Sequence, residues 1–383
     1  METISLFEPK IIEGKTTAVL PDNVAKIAVI GVGGGGCNMV NHMIREGIHK
    51  IDLIVSNTDL KALRTSEAPV RIQLGPILTN GMGTGMKPEV GKESALESYE
   101  KIKEALAGSD IVFIAAGLGG GTGTGAAAIV AKAAKEINAL TVSVVTKPFK
   151  WEGQRRAALA NIGLEELKKH SDSIIVIKND RLKELDSNIG FGDAFKLVDN
   201  ILYQSVNGMS EVILKPGSSD INVDFADVKT IMQHRGMALM GIGKGRGEHA
   251  AKDALEHAIK SPLLDEVSLE SAKGIMIHWT FNKNLSLFAV TDIMDNINET
   301  IDTNADIIFG TTTDDNLAVD EVKITIIATG FESFDEQKLN TDKPKEDITP
   351  IAPIDIATNP NYYDTPPFMR GYTIKYHIDE KSA

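Results

Sequence analysis

The sequence predicts an α/β fold in which short apolar strands alternate with helices around a parallel sheet. Several apolar runs stop at glycine or at a polar residue, which is typical of buried parallel strands. Helical patterns separate these runs. Two of the runs lead directly into glycine-rich loops, and such sheets bind ligands at the carboxyl ends of their strands. We therefore expect a Rossmann-like parallel-sheet domain with a ligand site at that edge.

The individual elements follow from local patterns of apolar and polar residues. Strands are predicted at 26–31, 51–56, 72–74, 111–116, 141–145 and 173–177, and then at 274–281, 305–309 and 322–330. Helices are predicted at 38–47, 91–108, 125–138, 155–170 and 192–215, from about Asp224, and at 247–260 and 286–302. The helical pattern at 192–215 contains no proline and is long enough to bridge two domains.

The chain of 383 residues is long enough for two or three domains. The predicted order is a polar arm at 1–23, the glycine-loop domain at 24–191, a central helix at 192–216, a smaller α/β domain at 217–331, a disordered linker at 332–361 and a terminal peptide with its extension at 362–383. The linker is predicted from composition, because Asp, Glu, Lys, Pro and Thr dominate there and periodicity is absent.

Charge and cysteine content argue against several classes of protein. The net charge is −13, from 40 basic and 53 acidic residues, whereas nucleic-acid binding needs clustered cations. No apolar run reaches the ~20 residues of a membrane span, and residues 1–20 do not read as a signal peptide. Cys37 is the single cysteine, so no internal disulfide can form. We therefore expect a cytoplasmic protein.

The first glycine cluster, GVGGGGCN at 31–38, joins a predicted strand to a predicted helix. Glycine lets the backbone approach a ligand closely, and a helix N-terminus offers free N–H groups and its positive dipole end to an anion. A phosphate site explains four consecutive glycines better than a plain turn does. The spacing of Gly31, Gly33 and Gly36 also fits a dinucleotide-binding unit, with Asp59 near the place of a ribose-binding acid. A dinucleotide-dependent oxidoreductase is therefore the alternative.

The second glycine cluster, GLGGGTGTG at 117–125, distinguishes between these alternatives. It follows a buried strand and opens an alanine-rich helix, so it predicts a second anion site on the same sheet. A pyrophosphate needs one such loop, whereas two loops on neighbouring strands can hold a triphosphate from two sides. The hydroxyl groups of Thr122 and Thr124 add donors.

Seven motifs, in order along the chain, resemble the FtsZ family of bacterial cell-division GTPases, which are relatives of tubulin. The motifs are GVGGGGCN (31–38), SNTD (56–59), GGGTGTGA (119–126), TKPFKWEG (146–153), KND (178–180), DAF (193–195) and NVDFADVK (222–229). The resemblance covers about residues 24–330 and a short segment at 364–370. It implies a tubulin/FtsZ-like fold, GTP or GDP as the ligand, and GTPase activity.

The resemblance also implies a set of GTP-binding residues, from loops that hold the phosphates to side chains that contact ribose and guanine. The set is Gly33, Gly34, Gly35, Gly36, Cys37, Asn38, Gly119, Gly120, Gly121, Thr122, Gly123, Thr124, Glu152, Arg156, Asn179, Phe195 and Asp199. The carboxylate of Asp199 suits guanine, because guanine N1–H and its 2-amino group are donors and adenine lacks that edge. Without the motif, an aspartate such as Asp199 in a helix is more often a solvated charge, and the motif reverses that preference. Cys37 reads as either a reactive thiol near a helix N-terminus or a buried, inert one.

The catalytic prediction concerns Asp224 and Asp227, which share one face at a helix start. From the residues alone they form a helix cap, with Asn222 or Asp224 at the N-cap position. The resemblance implies that Asn222, Asp224 and Asp227 instead enter the nucleotide pocket of the next subunit and act on the attacking water. Mg²⁺ would be held mainly by phosphates and water. Such a contact would build head-to-tail homopolymers.

The C-terminal segment DTPPFMR at 364–370 resembles the partner-binding peptide of the family, with Asp364, Pro367, Phe368 and Arg370 as its binding residues. A plain disordered end is the alternative. The resemblance implies that division-ring membrane tethers and regulators bind this peptide, and that membrane contact is indirect. It also implies filaments concentrated at mid-cell, as the division ring at the future septum. A GTP-binding polymer without turnover is a further alternative.

Overall fold

The computed structural model describes residues 25–48, 50–181, 190–214, 221, 223–234, 236–261, 264, 271–282, 305–315 and 317–331. The predicted arm, linker and terminal peptide, Asn222, and the predicted helix at 286–302 lie outside these residues. None of the described helices has the length and apolar character that a membrane crossing requires.

The described strands form one ten-stranded sheet. The strands are β1 (Ile27–Val32), β2 (Ile51–Asn57), β3 (Val70–Gln73), β4 (Ile111–Gly117), β5 (Leu140–Lys147), β6 (Ser173–Lys178), β7 (Gly236–Arg246), β8 (Gly274–Phe281), β9 (Asp306–Thr313) and β10 (Glu321–Phe331). Their spatial order is β3-β2-β1-β4-β5-β6-β7-β10-β8-β9. Strands β3 to β7 in this order pair in parallel, β10 is antiparallel to both neighbours, and β9 is parallel to β8. The predicted α/β class with a mostly parallel sheet is confirmed.

The described α-helices alternate with these strands. They are α1 (Gly33–Arg45), α2 (Leu60–Thr65), α3 (Pro76–Thr79), α4 (Pro88–Glu97), α5 (Tyr99–Leu106), α6 (Thr122–Glu136), α7 (Gln154–Lys168), α8 (Phe191–Leu214), α9 (Phe225–Met232) and α10 (Ala250–Ile259). Short 3₁₀ turns lie at Lys150–Glu152 and Asn179–Arg181. The long helix predicted at 192–215 is confirmed as α8.

Strand β1 shows why its run of apolar residues is continuous. All six of its residues are buried, because helices cover both faces of the sheet. Ile27 and Val29 pack in a cluster that includes residues of α1, α8 and α9, whereas Ala28 and Ile30 pack in a second cluster with α5, α6 and α7. The two-residue period of a strand thus divides one apolar run between two cores.

The helix predicted at 91–108 is two helices. The break falls at Ser98, whose hydroxyl donates to the carbonyl of Gln73 at 3.1 Å and accepts from the N–H of Gly75 at 3.1 Å. A serine side chain bonded to neighbouring backbone competes with helix continuation. This contact ties the break between α4 and α5 to the end of β3.

Strand β7 has no counterpart among the predicted strands, because its many glycines give it a low strand propensity. A Cβ at Gly241, Gly243 or Gly245 would lie 2.3, 1.8 or 1.9 Å from carbonyl oxygens of α10. Those oxygens belong to Ala258, Ala254 and Ala250, which recur every four residues on one face of that helix. Alternate glycines therefore let α10 lie directly on the strand, a packing that strand propensities do not show.

Candidate functional site

A cleft of about 690 Å³ opens at the carboxyl ends of the parallel strands. It is lined by Gly34, Gly35, Asn38, Asn57, Thr58, Asp59, Ala62, Gly83, Thr84, Met86, Gly117, Leu118, Gly120, Gly121, Thr122, Gly123, Thr146, Pro148, Glu152, Arg156, Asn179, Phe195, Val198, Asp199 and Leu202. The structure therefore brings together twelve predicted residues: Gly34, Gly35, Asn38, Gly120, Gly121, Thr122, Gly123, Glu152, Arg156, Asn179, Phe195 and Asp199.

Two helices point their N-termini at this cleft. Helix α1 begins directly after β1, and α6 begins at Thr122 after the second glycine loop. Neither N-terminus has a side-chain cap, and neither helix has an acid in its first turn. The free N–H groups of the first turn and the positive ends of both helix dipoles are therefore available to an anion.

Glycine is required at the first loop for close packing of the backbone. A Cβ at Gly31 would lie 2.2 Å from the Gly36 carbonyl oxygen, and one at Gly36 would lie 2.2 Å from the Ala115 carbonyl oxygen. A Cβ at Gly34 would meet nothing within 4 Å. Gly34 thus faces the open cleft, whereas Gly31 and Gly36 allow α1 to pack closely against β1 and β4.

The second loop is held by neighbouring threonines. The hydroxyls of Thr58 and Thr122 lie 2.7 Å apart. Thr124 is buried and its hydroxyl accepts from the Gly119 N–H at 2.9 Å. A Cβ at Gly121 would lie 2.0 Å from the Thr84 hydroxyl oxygen, so the loop containing Thr84 packs directly on the start of α6.

Five predicted residues do not line the cleft, because the glycine loops pack inward as well as outward. They are Gly33, Gly36, Cys37, Gly119 and Thr124. Gly33 and Gly119 adopt positive φ angles of 71° and 98°, which place the backbone at each turn. These five residues are buried and support the loops, and they do not line the cleft.

Cys37 lies in the core below the first loop. Burial raises the pKa of its thiol to about 12, and contacts with Asn57 and the Ser56 carbonyl oppose this shift only in part. A thiolate is the reactive form of cysteine, so this thiol is inert at neutral pH. The alternative of a reactive thiol is therefore wrong.

The far end of the cleft carries hydrogen-bonding groups of a different kind. Asn179 is buried, and its side-chain oxygen has no hydrogen-bond partner among the described residues. Burial raises the pKa of Asp199 to about 6, although nearby His42 and Arg45 act in the opposite direction. An amide oxygen without a donor among the described residues, beside a carboxylate on the same wall, fits a ligand edge that presents N–H groups.

The wall between the two ends combines an aromatic group with an ion pair. The ring of Phe195 contacts the edges of Phe149 and Trp151, with ring centroids 5.8 and 6.4 Å apart. Glu152 pairs with Arg156, and its other oxygen accepts from the Phe149 N–H at 2.9 Å. An exposed ring face beside a charged pair suits a planar base joined to a polar sugar.

The sequence pattern of the Tubulin/FtsZ family, GTPase domain, matches residues 26–187, and that of the FtsZ family, C-terminal domain, matches residues 236–332. A solved FtsZ dimer from M. jannaschii shares 44% identity, with a TM-score of 0.75 over 81% of this chain and 90% of that chain. The chain belongs to the tubulin/FtsZ family. Its GTPase domain implies that it binds GTP and GDP and hydrolyses GTP.

More distant members share the tubulin/FtsZ fold. CetZ1 from Haloferax volcanii, solved as a GDP-bound monomer, shares 18% identity with a TM-score of 0.70 over 82% of this chain and 97% of that chain. CetZ2 from the same organism, solved as a GTPγS-bound protofilament, shares 18% identity with a TM-score of 0.69 over 82% of this chain and 96% of that chain. The expectation of a bacterial member is not confirmed, because these FtsZ and CetZ relatives come from M. jannaschii and Haloferax volcanii.

Several lining residues of this tubulin/FtsZ site were not among the predicted GTP-binding residues. Thr58 and Asp59 belong to the SNTD motif, which therefore contained the signal, whereas Thr84 and Met86 belong to the glycine-rich loop before α4 and to none of the seven motifs. The Asp59 carboxylate accepts from the N–H groups of Lys61 and Ala62 and thereby caps α2. Asp59 therefore lines the cleft while serving as a helix cap.

The acid pair Asp224 and Asp227 lies outside the cleft of its own chain. The Asp224 carboxylate accepts from the Asp227 N–H at 2.8 Å, and the Asp227 carboxylate accepts from the Asp224 N–H at 3.2 Å. The capping box weighed from the sequence is thus formed at the start of α9. Asp224 is exposed and Asp227 is half-buried while they cap the helix.

Proposed function

We propose that this tubulin/FtsZ chain assembles head to tail and hydrolyses GTP at the junction between two subunits. The cleft of one subunit would hold the nucleotide, and the Asp224–Asp227 pair of the next would complete the site. The proposal includes the domain division made from the sequence, with α8 between the GTPase domain and the C-terminal domain.

The single observation that carries the proposal is the separation of the two parts of the site. The cleft lies at the carboxyl ends of the parallel strands. Helix α8 lines the cleft through Phe195 and Asp199 and continues to Leu214, roughly 20 Å further along its axis, before the chain reaches the acid pair. Neither Asp224 nor Asp227 lines the cleft of its own chain, and we infer that they act on the nucleotide of another copy. A contact between unlike surfaces propagates into a filament.

The carboxylates that line the cleft are committed to other contacts. Asp59 caps α2, Glu152 pairs with Arg156, and Asp199 lies at the end that we assign to guanine. Phosphoryl transfer depends on positioning and on charge stabilisation. We therefore infer that Asp224 and Asp227, with Asn222 beside them, orient the attacking water from the neighbouring subunit.

We assign the triphosphate to the two uncapped helix N-termini and guanine to Asn179 and Asp199. The ring of Phe195 would stack on the base, and Glu152 with Arg156 would contact the ribose and a phosphate. Mg²⁺ would enter with GTP, held mainly by phosphate oxygens and water, because it retains most of its hydration shell in such sites. The unpartnered Asn179 oxygen and the protonation-prone Asp199 support this orientation of the nucleotide.

Apolar groups on the cleft-bearing half favour burial against another subunit. Ile77 is 82% exposed and Met82 is 83% exposed, and Trp151, next to Glu152, is half exposed. Ile221, which precedes the acid pair, is 54% exposed. Exposed apolar groups of this kind are common where proteins associate. The solved FtsZ dimer and CetZ2 protofilament lend further support to assembly.

We further propose that the filaments form the division ring at the future septum, at mid-cell. Membrane tethers and regulators would bind the terminal peptide through Asp364, Pro367, Phe368 and Arg370. This part of the proposal comes from the resemblance of the 364–370 motif, which lies outside the described residues. Membrane contact would then be indirect.

A dilution series with a matched pair of variants tests the shared site. We expect GTP turnover per molecule to vanish at nanomolar protein, and light scattering to rise with GTP but not with GDP or ATP. Asp227→Ala should bind GTP normally yet lose turnover by roughly 100-fold or more, because a positioned acid or base contributes 10²–10⁴-fold. Asp253→Ala removes an acid from the first turn of α10 and serves as the control.

Constant turnover per molecule on dilution would show that one subunit is sufficient. Full turnover by Asp227→Ala would remove the acid pair from the mechanism. Scattering that rises equally with ATP would overturn the assignment of guanine to Asn179 and Asp199.

A further inference from the structure

The segment before the acid pair is tied to the edge strand β9 by two hydrogen bonds. The N–H of Ile221 donates to the hydroxyl oxygen of Thr311 at 2.9 Å, and the N–H of Thr311 donates to the carbonyl of Ile221 at 2.9 Å. One of these bonds uses the Thr311 side chain. The position of the chain as it enters α9 therefore depends on that hydroxyl.

Gly310 explains how the segment comes so near to β9. A Cβ at Gly310 would lie 2.4 Å from Val223 Cγ2 and 3.4 Å from the Ile221 carbonyl oxygen. Val223 is buried against this position. Glycine at 310 thus creates the space in which Ile221 and Val223 lie on the strand, within reach of Thr311.

The other end of α9 is tied to the same strand. His234 Nε2 lies 3.0 Å from Asp306 Oδ2, and Asp306 is the first residue of β9. The carbonyl of Ile231 also accepts from the Thr329 hydroxyl at 2.8 Å. The inner face of the helix, with Val228, is buried in the core. Strand β9 therefore holds the acid-bearing helix at both ends.

We propose that Thr311 and Asp306 are positioning residues for GTP hydrolysis, because they set the direction in which Asp224 and Asp227 project from the subunit. The inference rests on the proposed function. The two carboxylates bond to each other's backbone N–H groups, so their reach depends on where α9 is placed. Positioning contributes much of the rate in phosphoryl transfer, and small displacements are costly.

The test compares variants at Thr311 with one on the neighbouring strand. Thr311→Val keeps the shape and removes the hydroxyl, and Thr311→Ser keeps the hydroxyl. Thr280→Val is the control, because Thr280 of β8 lies in the same sheet and its side chain makes none of the contacts to α9. Turnover at saturating GTP and high protein concentration, the KM for GTP, GDP affinity and the unfolding midpoint are measured for each full-length variant.

We expect Thr311→Val to lower kcat roughly five- to tenfold with KM and GDP affinity unchanged, because one hydrogen bond to the acid segment is lost. The kcat of Thr311→Ser should be within about twofold of that of the unmodified protein, and the kcat of Thr280→Val should equal that of the unmodified protein. A loss of stability alone would lower the unfolding midpoint and the fraction of protein that binds GDP, so a fall in kcat with both of these unchanged reports positioning. Asp306→Ala, which changes an exposed side chain, should give a smaller fall in kcat and remains informative if Thr311→Val does not fold.

Unchanged kcat in both Thr311→Val and Asp306→Ala, with Asp227→Ala inactive, would overturn the positioning role and leave the shared site intact. Full activity of Asp227→Ala would instead overturn the shared site, and the positioning role with it.

Discussion

The helix N-termini at the cleft and at the acid pair are built in opposite ways. Helices α1 and α6 begin at glycine loops with neither a side-chain cap nor an acid in the first turn. Helix α9 begins with a reciprocal cap of two aspartates. The backbone feature is the same in all three, since each first turn has free N–H groups. Leaving these groups open creates a receptor for phosphate, and capping them with carboxylates presents negative charge instead.

Under the proposed assembly, one chain carries both halves of a charged contact. The open helix ends lie in the cleft at the carboxyl edge of the sheet, and the capped end lies outside that cleft. The same two aspartates can stabilise their own helix and act on another subunit, because capping uses only part of each carboxylate's acceptor capacity.

The sharpest way to separate these two roles is Asp224→Asn. Asparagine caps helices about as well as aspartate, so the free energy of unfolding should stay within about 0.5 kcal/mol, whereas Asp224→Ala should lose ~1 kcal/mol. Turnover of the assembled protein should fall at least about 100-fold in both variants, because both lack the carboxylate. Urea unfolding and phosphate release measure the two effects. An Asp224→Asn protein with full turnover would leave this aspartate as a cap alone.

An acid in the first turn of α1, like the acids at the start of α9, should weaken nucleotide binding. Gly34→Asp places a carboxylate in the open cleft at the first turn of α1, where a Cβ meets nothing. Repulsion of about 2 kcal/mol at ~8 Å corresponds to roughly 30-fold weaker GDP binding, measured by calorimetry. The matched control Gly34→Ala adds only the Cβ and should bind nearly as well. Equal affinities of the two variants would mean that phosphates do not lie at this helix end.

The guanine end of the cleft should respond to pH. Burial raises the pKa of Asp199 from 3.8 to about 6 in the nucleotide-free protein, and guanine donors favour the ionised carboxylate. GDP affinity should therefore fall about tenfold per pH unit below about 6, until the pKa of the complex is reached. The free energy of unfolding without nucleotide should fall as pH rises from 3.8 to about 6, because the folded state binds the proton more tightly.

Calorimetry of the unmodified protein and Asp199→Asn across this pH range isolates the effect of Asp199, since the phosphates of GDP titrate equally with both. Parallel pH profiles for the two proteins would show that Asp199 does not contact the base.

The phosphate end of the site was more predictable from sequence than its surroundings. Glycine runs directly after apolar strands reveal a backbone anion site, because few other needs require consecutive glycines there. The sequence did not show which glycines face inward: Gly34 lies in the open cleft, whereas Gly36 contacts the Ala115 carbonyl. That division depends on the neighbouring strand β4, which is far away in sequence.

The C-terminal half was harder to predict because packing overrides local preference. Strand β7 resembles a loop in composition, yet the alanines of α10 fill the space above its glycines. The contacts of Thr311 and Gly310 with Ile221 and Val223 join parts of the chain about ninety residues apart. No pattern within either segment reveals such a pairing.

The position of the acid pair outside the cleft of its own chain has a consequence for stoichiometry and direction. Under the proposed arrangement, each complete site needs two adjacent subunits. A filament of n subunits therefore contains n − 1 complete sites. The subunit at one tip holds a nucleotide with no carboxylates above it, and the subunit at the other tip presents carboxylates to empty solvent. The two tips are thus chemically distinct, and one of them keeps its triphosphate until another member arrives.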